Sequence, residues 1–154
     1  MNRALVVVDE SDAHRDLLEE AAPLAAGVGA ELVVFSWITN EEINEQAELR
    51  ESVEQAEHTS YSEPSALGPV EQFARRFTKE TLTDAGIDPE FETDVAVADD
   101  DELADEILEA AERNDCDHVF VVGRRRSPTG KAVFGDVAQR VILNFEGPVT
   151  VTMT

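Results

Sequence analysis

Residues 4–11 read Ala4-Leu5-Val6-Val7-Val8-Asp9-Glu10-Ser11: five apolar residues in succession, then two carboxylates and a hydroxyl. An unbroken apolar run of this length, closed by polar residues, is the pattern of a strand buried on both faces. His118 to Val122 repeats it, with Val119-Phe120-Val121-Val122 ending at Gly123. Between and beyond them the chain alternates strand and helix. A helix is expected from about Asp12, with Leu17, Leu18, Ala21, Leu24 and Ala25 on one side and Pro23 inside it, where it should bend the helix or end its first part. The second strand spans Glu31 to Ile38. Residues 39–64 form a polar, acidic stretch with weak helical spacing at Ile43 and Ala47, and we expect a mobile excursion there. Helices follow from about Ser65 to Ala85, Asp101 to Asn114 and Asp136 to Phe145. The third strand spans Glu90 to Ala98, and the fifth Val149 to Met153.

Strand after helix after strand implies right-handed crossovers and a parallel sheet with helices on both faces. The strand compositions order it. The third strand alternates Phe91, Thr93, Val95 and Val97 with Glu92 and Asp94, and the fifth alternates Val149, Val151 and Met153 with threonines. Both suit edges, whereas the first and fourth suit the centre. The expected fold is a three-layer α/β single domain with a five-stranded parallel sheet in the order 3-2-1-4-5. The winding reverses between the first and fourth strands, and ligands of open parallel sheets bind beyond the strand ends at such a switch point. Asp9, Glu10, Ser11 and the residues from Gly123 onward belong there.

The chain has 154 residues, with 34 acidic against 12 basic and a net charge of −22. That charge repels nucleic acid and anionic membranes, so neither is an expected partner. No apolar run reaches the roughly 18 residues of a membrane span. One cysteine, Cys116, excludes an internal disulfide and a cysteine-based zinc site and is expected to be a buried thiol. The reading is a soluble, cytoplasmic chain. Ten of the basic residues are Arg and two are Lys, with carboxylates spread along the whole length. This is the surface chemistry of a salt-loving organism: at about 1 M salt the screening length is roughly 3 Å, and carboxylates that would push a fold apart in dilute buffer are tolerated.

The segment Gly123-Arg124-Arg125-Arg126-Ser127-Pro128-Thr129-Gly130-Lys131-Ala132-Val133-Phe134-Gly135-Asp136 holds three of eight glycines and four of twelve basic residues. Glycines let backbone N–H groups approach a phosphate, arginines fork onto its oxygens, and the following helix offers its positive end. The alternative is that the arginines pair with the chain's own carboxylates and the glycines shape a turn. The segment is not a P-loop, since Arg125 stands where the first glycine is needed and Ala132 where a hydroxyl is needed. The first strand is followed by Asp-Glu-Ser rather than Gly-x-Gly, so it is not a dinucleotide fingerprint either.

Val7-Val8-Asp9-Glu10-Ser11 resembles the opening of universal stress proteins, and Asp117-His118-Val119-Phe120-Val121-Val122-Gly123 resembles that family's fourth strand. Gly147-Pro148-Val149-Thr150-Val151 resembles its last strand. The resemblance implies an adenine-nucleotide alpha-hydrolase-like fold and a stress-response binding module holding ATP at the switch point; there the Asp136 carboxylate either caps the last helix itself or holds a Mg²⁺ that bridges to phosphate. It also implies a homodimer, expected through the alternating edge strand 149–153. On the first-strand side, Asp9, Ser11 and Trp37 would contact nucleotide. On the loop side the contacts would be Val122, Gly123, Arg125, Arg126, Gly130, Gly135, Asp136 and Val137. The pattern departs from the family's: Arg126 replaces a glycine, Gly135 arrives one residue early, and Asp136 stands where a hydroxyl donates to phosphate. Trp37 replaces a small apolar residue and stacks on adenine, blocks its pocket, or serves as a core aromatic. These departures motivate the alternative of a nucleotide-independent homodimeric scaffold. No catalytic residue is assigned; His14, His58 and His118 show no metal-ligand spacing, and at most a weak ATPase is expected.

Overall fold

The structure is a computed structural model and describes residues 1–57, 67–88, 90–125 and 134–154, with the backbone alone for 49–57. The elements are β1 (Arg3–Val7), α1 (Asp12–Gly27), β2 (Glu31–Ile38), α2 (Asn40–Glu57) and α3 (Gly68–Asp84), then β3 (Phe91–Val97), α4 (Leu103–Arg113), β4 (His118–Gly123), α5 (Asp136–Asn144) and β5 (Val149–Met153). The strands form one parallel sheet in the order β3-β2-β1-β4-β5, as the strand compositions predict.

Register decides which side chain faces which helix layer. Val6 lies opposite Val34 on one side and Phe120 on the other. Ala4, Val6, Val8, Val34 and Phe120 therefore share a face with Leu17, Leu18 and Ala21 of α1 and Ala74 and Phe77 of α3. The alternate residues Leu5, Val7, Val33, Phe35, Val119 and Val121 face Ile107 and Ala111 of α4 and Ala138 and Val141 of α5. Burial on both faces is what the continuous apolar runs require.

Three helices end alike. At the ends of α1 and α3, Gly29 and Gly86 take φ of +72° and +76°. Ala30 N–H then reaches Ala25 O at 2.8 Å, and Ile87 N–H reaches Leu82 O at 2.8 Å, the six-to-one bonds of a Schellman ending. At the end of α4 the left-handed position is filled by Asp115, φ 53°, with Cys116 N–H on Ala111 O at 2.8 Å.

Two expectations change. Pro23 does not end α1, which continues to Gly27. It sits on the exposed side, where the carbonyl whose partner N–H it lacks is open to solvent. The polar stretch 39–64 carries α2 over residues 40–57, while 58–64 lie outside the described residues. Capping supports this polar helix at its start. Glu42 N–H donates to Thr39 Oγ1 at 3.2 Å and Thr39 N–H to Glu42 Oε2 at 3.4 Å, a capping box. The Asp99 carboxylate, at the end of β3, accepts from both Asn40 N–H and Asn40 Nδ2 at 3.0 Å.

Candidate functional site

β1 delivers Asp9 to the carboxyl edge of the sheet. There the chain turns, with Ser11 N–H donating to Asp9 Oδ1 at 2.7 Å, and Ser11 then caps α1. His14 falls one turn into the helix and folds back: its Nδ1 is 2.8 Å from Asp9 Oδ1 and 2.8 Å from Ser11 Oγ. Burial pushes the Asp9 carboxyl up, but the hydrogen bonds from His14 and from the Ser11 hydroxyl and N–H outweigh it and hold it well below the usual carboxylate range. Asp9 is therefore ionised at any physiological pH.

A cavity of about 290 Å³ opens at this point, between the ends of β1 and β4 and the starts of α4 and α5. Asp9, His14 and Trp37 line it on one side, Arg124, Gly135 and Asp136 on the other, with Leu103 and Ile107 of α4 beneath. The His14 and Trp37 rings lie 6.2 Å apart at 59°. A second chamber of about 430 Å³ shares Asp9 and Trp37 and runs toward Gln46 of α2 and Phe73 of α3. The Gln46 Oε1 atom there is buried with no hydrogen-bond partner among the described residues. A larger hollow, about 570 Å³, lies at the opposite end of the sheet. Its charged lining is Glu31, Asp88, Glu90 and Glu92, so it offers an anion no cation.

The residues singled out from sequence distribute unevenly. Asp9, Trp37, Val122, Gly135, Asp136 and Val137 line the switch-point cavity. Ser11 stands behind it, bonded to Asp9 and His14. Arg125 does not line it; it is exposed, and its N–H closes onto Thr154 O at 3.0 Å. Gly123 is buried beneath β5 instead: a Cβ there would stand 2.7 Å from Met153 Sδ and 2.7 Å from Val151 Cγ1. The close approach that demands glycine is thus to the neighbouring strand. Arg126 and Gly130 lie outside the described residues.

At the loop's stem Arg124 N–H donates to Phe134 O at 3.0 Å. Gly135 then takes φ +83°, ψ 156°, open only to glycine, and begins α5 with no side chain capping it. Trp37 is half-buried against the α4–α5 core, the core-aromatic role, and its remaining surface walls both chambers. Sequence reading missed His14, Asp100, Leu103 and Ile107 as cavity residues and placed Arg124 there only as part of the basic loop. For His14 a signal existed: it is the third residue after a capping serine, where side chains reach back to the helix start. Among the described residues no cluster of His, Cys, Asp and Glu could hold a metal by itself, and no helix is long and apolar enough to cross a membrane.

A family model described as "Universal stress protein family" matches residues 1–152. The fold is similar to a universal stress protein from Archaeoglobus fulgidus, at 19% identity, TM-score 0.60, covering 98% of this chain and 93% of that one. It is similar to the Archaeoglobus fulgidus protein in complex with dAMP, at 19% identity and TM-score 0.55, covering 98% and 96%. It is also similar to a universal stress protein in complex with cAMP, at 16% identity and TM-score 0.64, covering 99% and 96%. No curated protein sequence matches the chain.

Proposed function

Because the chain belongs to the universal stress protein family, we propose that its switch-point crevice binds an adenine nucleotide, ATP, as the ligand of a stress-response binding module. The observation that carries the reading is one cavity walled on one side by Asp9 and Trp37 and on the other by Arg124 and the uncapped start of α5. An aromatic wall and a fixed carboxylate suit a nucleoside, while a guanidinium and a helix N-terminus suit phosphate. Similar folds carrying dAMP and cAMP support the adenine class. Asp9, Ser11, Trp37 and Val122 would act at the nucleoside end, with Gly135, Asp136 and Val137 toward phosphate. Arg125, Arg126 and Gly130 would act through the loop, and Gly123 by seating its stem.

Mg²⁺ fits only as the nucleotide's companion: the crevice carboxylates Asp100 and Asp136 do not make a metal cluster, but one of them with phosphate oxygens meets the ion's preference for mixed ligands and water. A second reading, a nucleotide-independent scaffold, is favoured by the departures of the loop from the family pattern, Arg126 for a glycine and Asp136 for a hydroxyl. Native mass spectrometry of gently purified protein, followed by calorimetry with ATP in multimolar salt with and without Mg²⁺, separates the two. Nucleotide carried through purification, or saturable heat that Asp9→Asn abolishes, supports the module. No heat at millimolar ATP leaves the scaffold.

We also propose a cytoplasmic homodimer formed through β5. In a chain of charge −22, Val149 to Met153 carry no charge, and among the described residues β5 pairs only with β4, so its outer edge is open to a further strand. Leu143, 73% exposed, stands on the neighbouring α5. Thr152→Lys should convert the dimer to monomer in sedimentation equilibrium; a wild-type monomer at high salt would remove the proposal.

A further inference from the structure

His14 has no place in the sequence reading, yet its side chain is 12% exposed and lies in the crevice wall between Asp9 and Trp37. Its Nδ1 faces Asp9 Oδ1 at 2.8 Å. A carboxylate held ionised accepts only, so Nδ1 must carry the proton and donate it. Ser11 Oγ, also 2.8 Å from Nδ1, accepts the His14 backbone N–H at 3.4 Å and closes the turn. With Nδ1 committed to Asp9, Nε2 is the ring nitrogen left to face a ligand, and among the described residues no hydrogen bond reaches it.

We infer that His14 is a specificity-determining ligand contact whose Nε2 accepts a hydrogen bond from an N–H or O–H donor of the nucleoside. The inference rests on the crevice reading above and deepens it. An acceptor repels phosphate oxygens, which carry no proton to give, so His14 orients the ligand: nucleoside toward Asp9 and His14, phosphate toward Arg124 and α5, on the far wall of the same cavity. Two ligand groups have the required chemistry, a ribose hydroxyl and the exocyclic amine of adenine. Asp9 then fixes the imidazole through its Oδ1 while itself lining the same cavity.

The test is calorimetry in multimolar salt on wild type and His14→Asn. The asparagine amide takes the place of Nδ1 against Asp9 and leaves nothing at the position of Nε2. ATP should bind His14→Asn about tenfold more weakly, the loss of one hydrogen bond to a fixed acceptor. 2′-Deoxy-ATP and the triphosphate of purine riboside, which lacks the 6-amino group, identify the donor. Whichever of them lacks it should bind wild type about tenfold more weakly than ATP and show no such difference on His14→Asn.

Equal ATP affinity in wild type and variant overturns the inference and leaves the crevice reading intact. Absence of ATP binding by wild type removes both. The ¹⁵N spectrum of His14 in the wild-type protein gives a second, ligand-free readout that holds even if the variant does not fold: a proton on Nδ1 is required, and one fixed on Nε2 overturns the inference.

Discussion

Gly123 separates two uses of a glycine, and Gly123→Ala tests which applies. A methyl group at this position would sit 2.7 Å from Val151 Cγ1, 2.7 Å from Met153 Sδ and 3.1 Å from Phe134 O. Met153 ends in a flexible thioether and can swing aside. Val151 is β-branched, stiff at χ1 and packed against the α4–α5 core, and Phe134 O is backbone held by Arg124 N–H. The added methyl must therefore push β5 outward along Val151 and Met153, the residues paired with Val121 and Gly123. Overpacking of this kind costs about 1–3 kcal/mol. At about 2 kcal/mol, a chain of this size loses roughly 4–8 °C of thermal midpoint. Thermal unfolding in multimolar salt gives the magnitude, and hydrogen exchange gives the place: Thr154 N–H, bonded to Gly123 O at 3.0 Å, should lose protection while the β1–β2 amides keep theirs. An alanine variant with wild-type midpoint and a protected Thr154 amide, but weakened ATP binding, would refute the packing account and return Gly123 to direct phosphate contact.

Further consequences concern charge and turns. If the −22 charge reflects adaptation to salt, the thermal midpoint should rise steeply between dilute buffer and multimolar NaCl or KCl; equal midpoints contradict that origin. Burial lowers the His118 pKa from its ordinary 6.5, with Nε2 at 2.8 Å from Thr150 Oγ1. Below pH 6.5 the unfolded chain therefore takes up a proton that the folded chain declines, so stability falls with falling pH in that window. His118→Gln should flatten the slope measured by denaturant titration, and an unchanged slope refutes the assignment. Asp115→Gly relieves a non-glycine residue at φ 53° and should raise stability by about 1 kcal/mol in urea unfolding; a loss would mean the aspartate side chain holds the turn.

Much of the fold was legible because burial leaves its mark on composition. A strand between two helix layers cannot afford polar residues on either face, so Leu5 to Val8 and Val119 to Val122 announce themselves as central, while Glu92 and Asp94 mark β3 as an edge. The extent of α2 was not legible. Its described side chains are mostly exposed, and its start is fixed partly by Asp99, 59 residues away in the chain. Within the site, Asp9 could be placed from the strand-end rule alone, whereas Asp136 was singled out by the resemblance to the family's loop. Gly123 could not, because a glycine cleared for a ligand and one cleared for a neighbouring strand look alike until the β4–β5 register is known. Leu103 and Ile107 reach the cavity only through the packing of α4 on the sheet, which no local pattern encodes.

Trp37, the chain's only tryptophan, walls both chambers, so its fluorescence reports on the switch-point crevice and the chamber beside it. Titrating ATP into the protein in multimolar salt should change that emission saturably, with the same midpoint that calorimetry gives, and Asp9→Asn should abolish the change. A calorimetric binding isotherm with the Trp37 emission unmoved would put the nucleotide elsewhere and contradict the account.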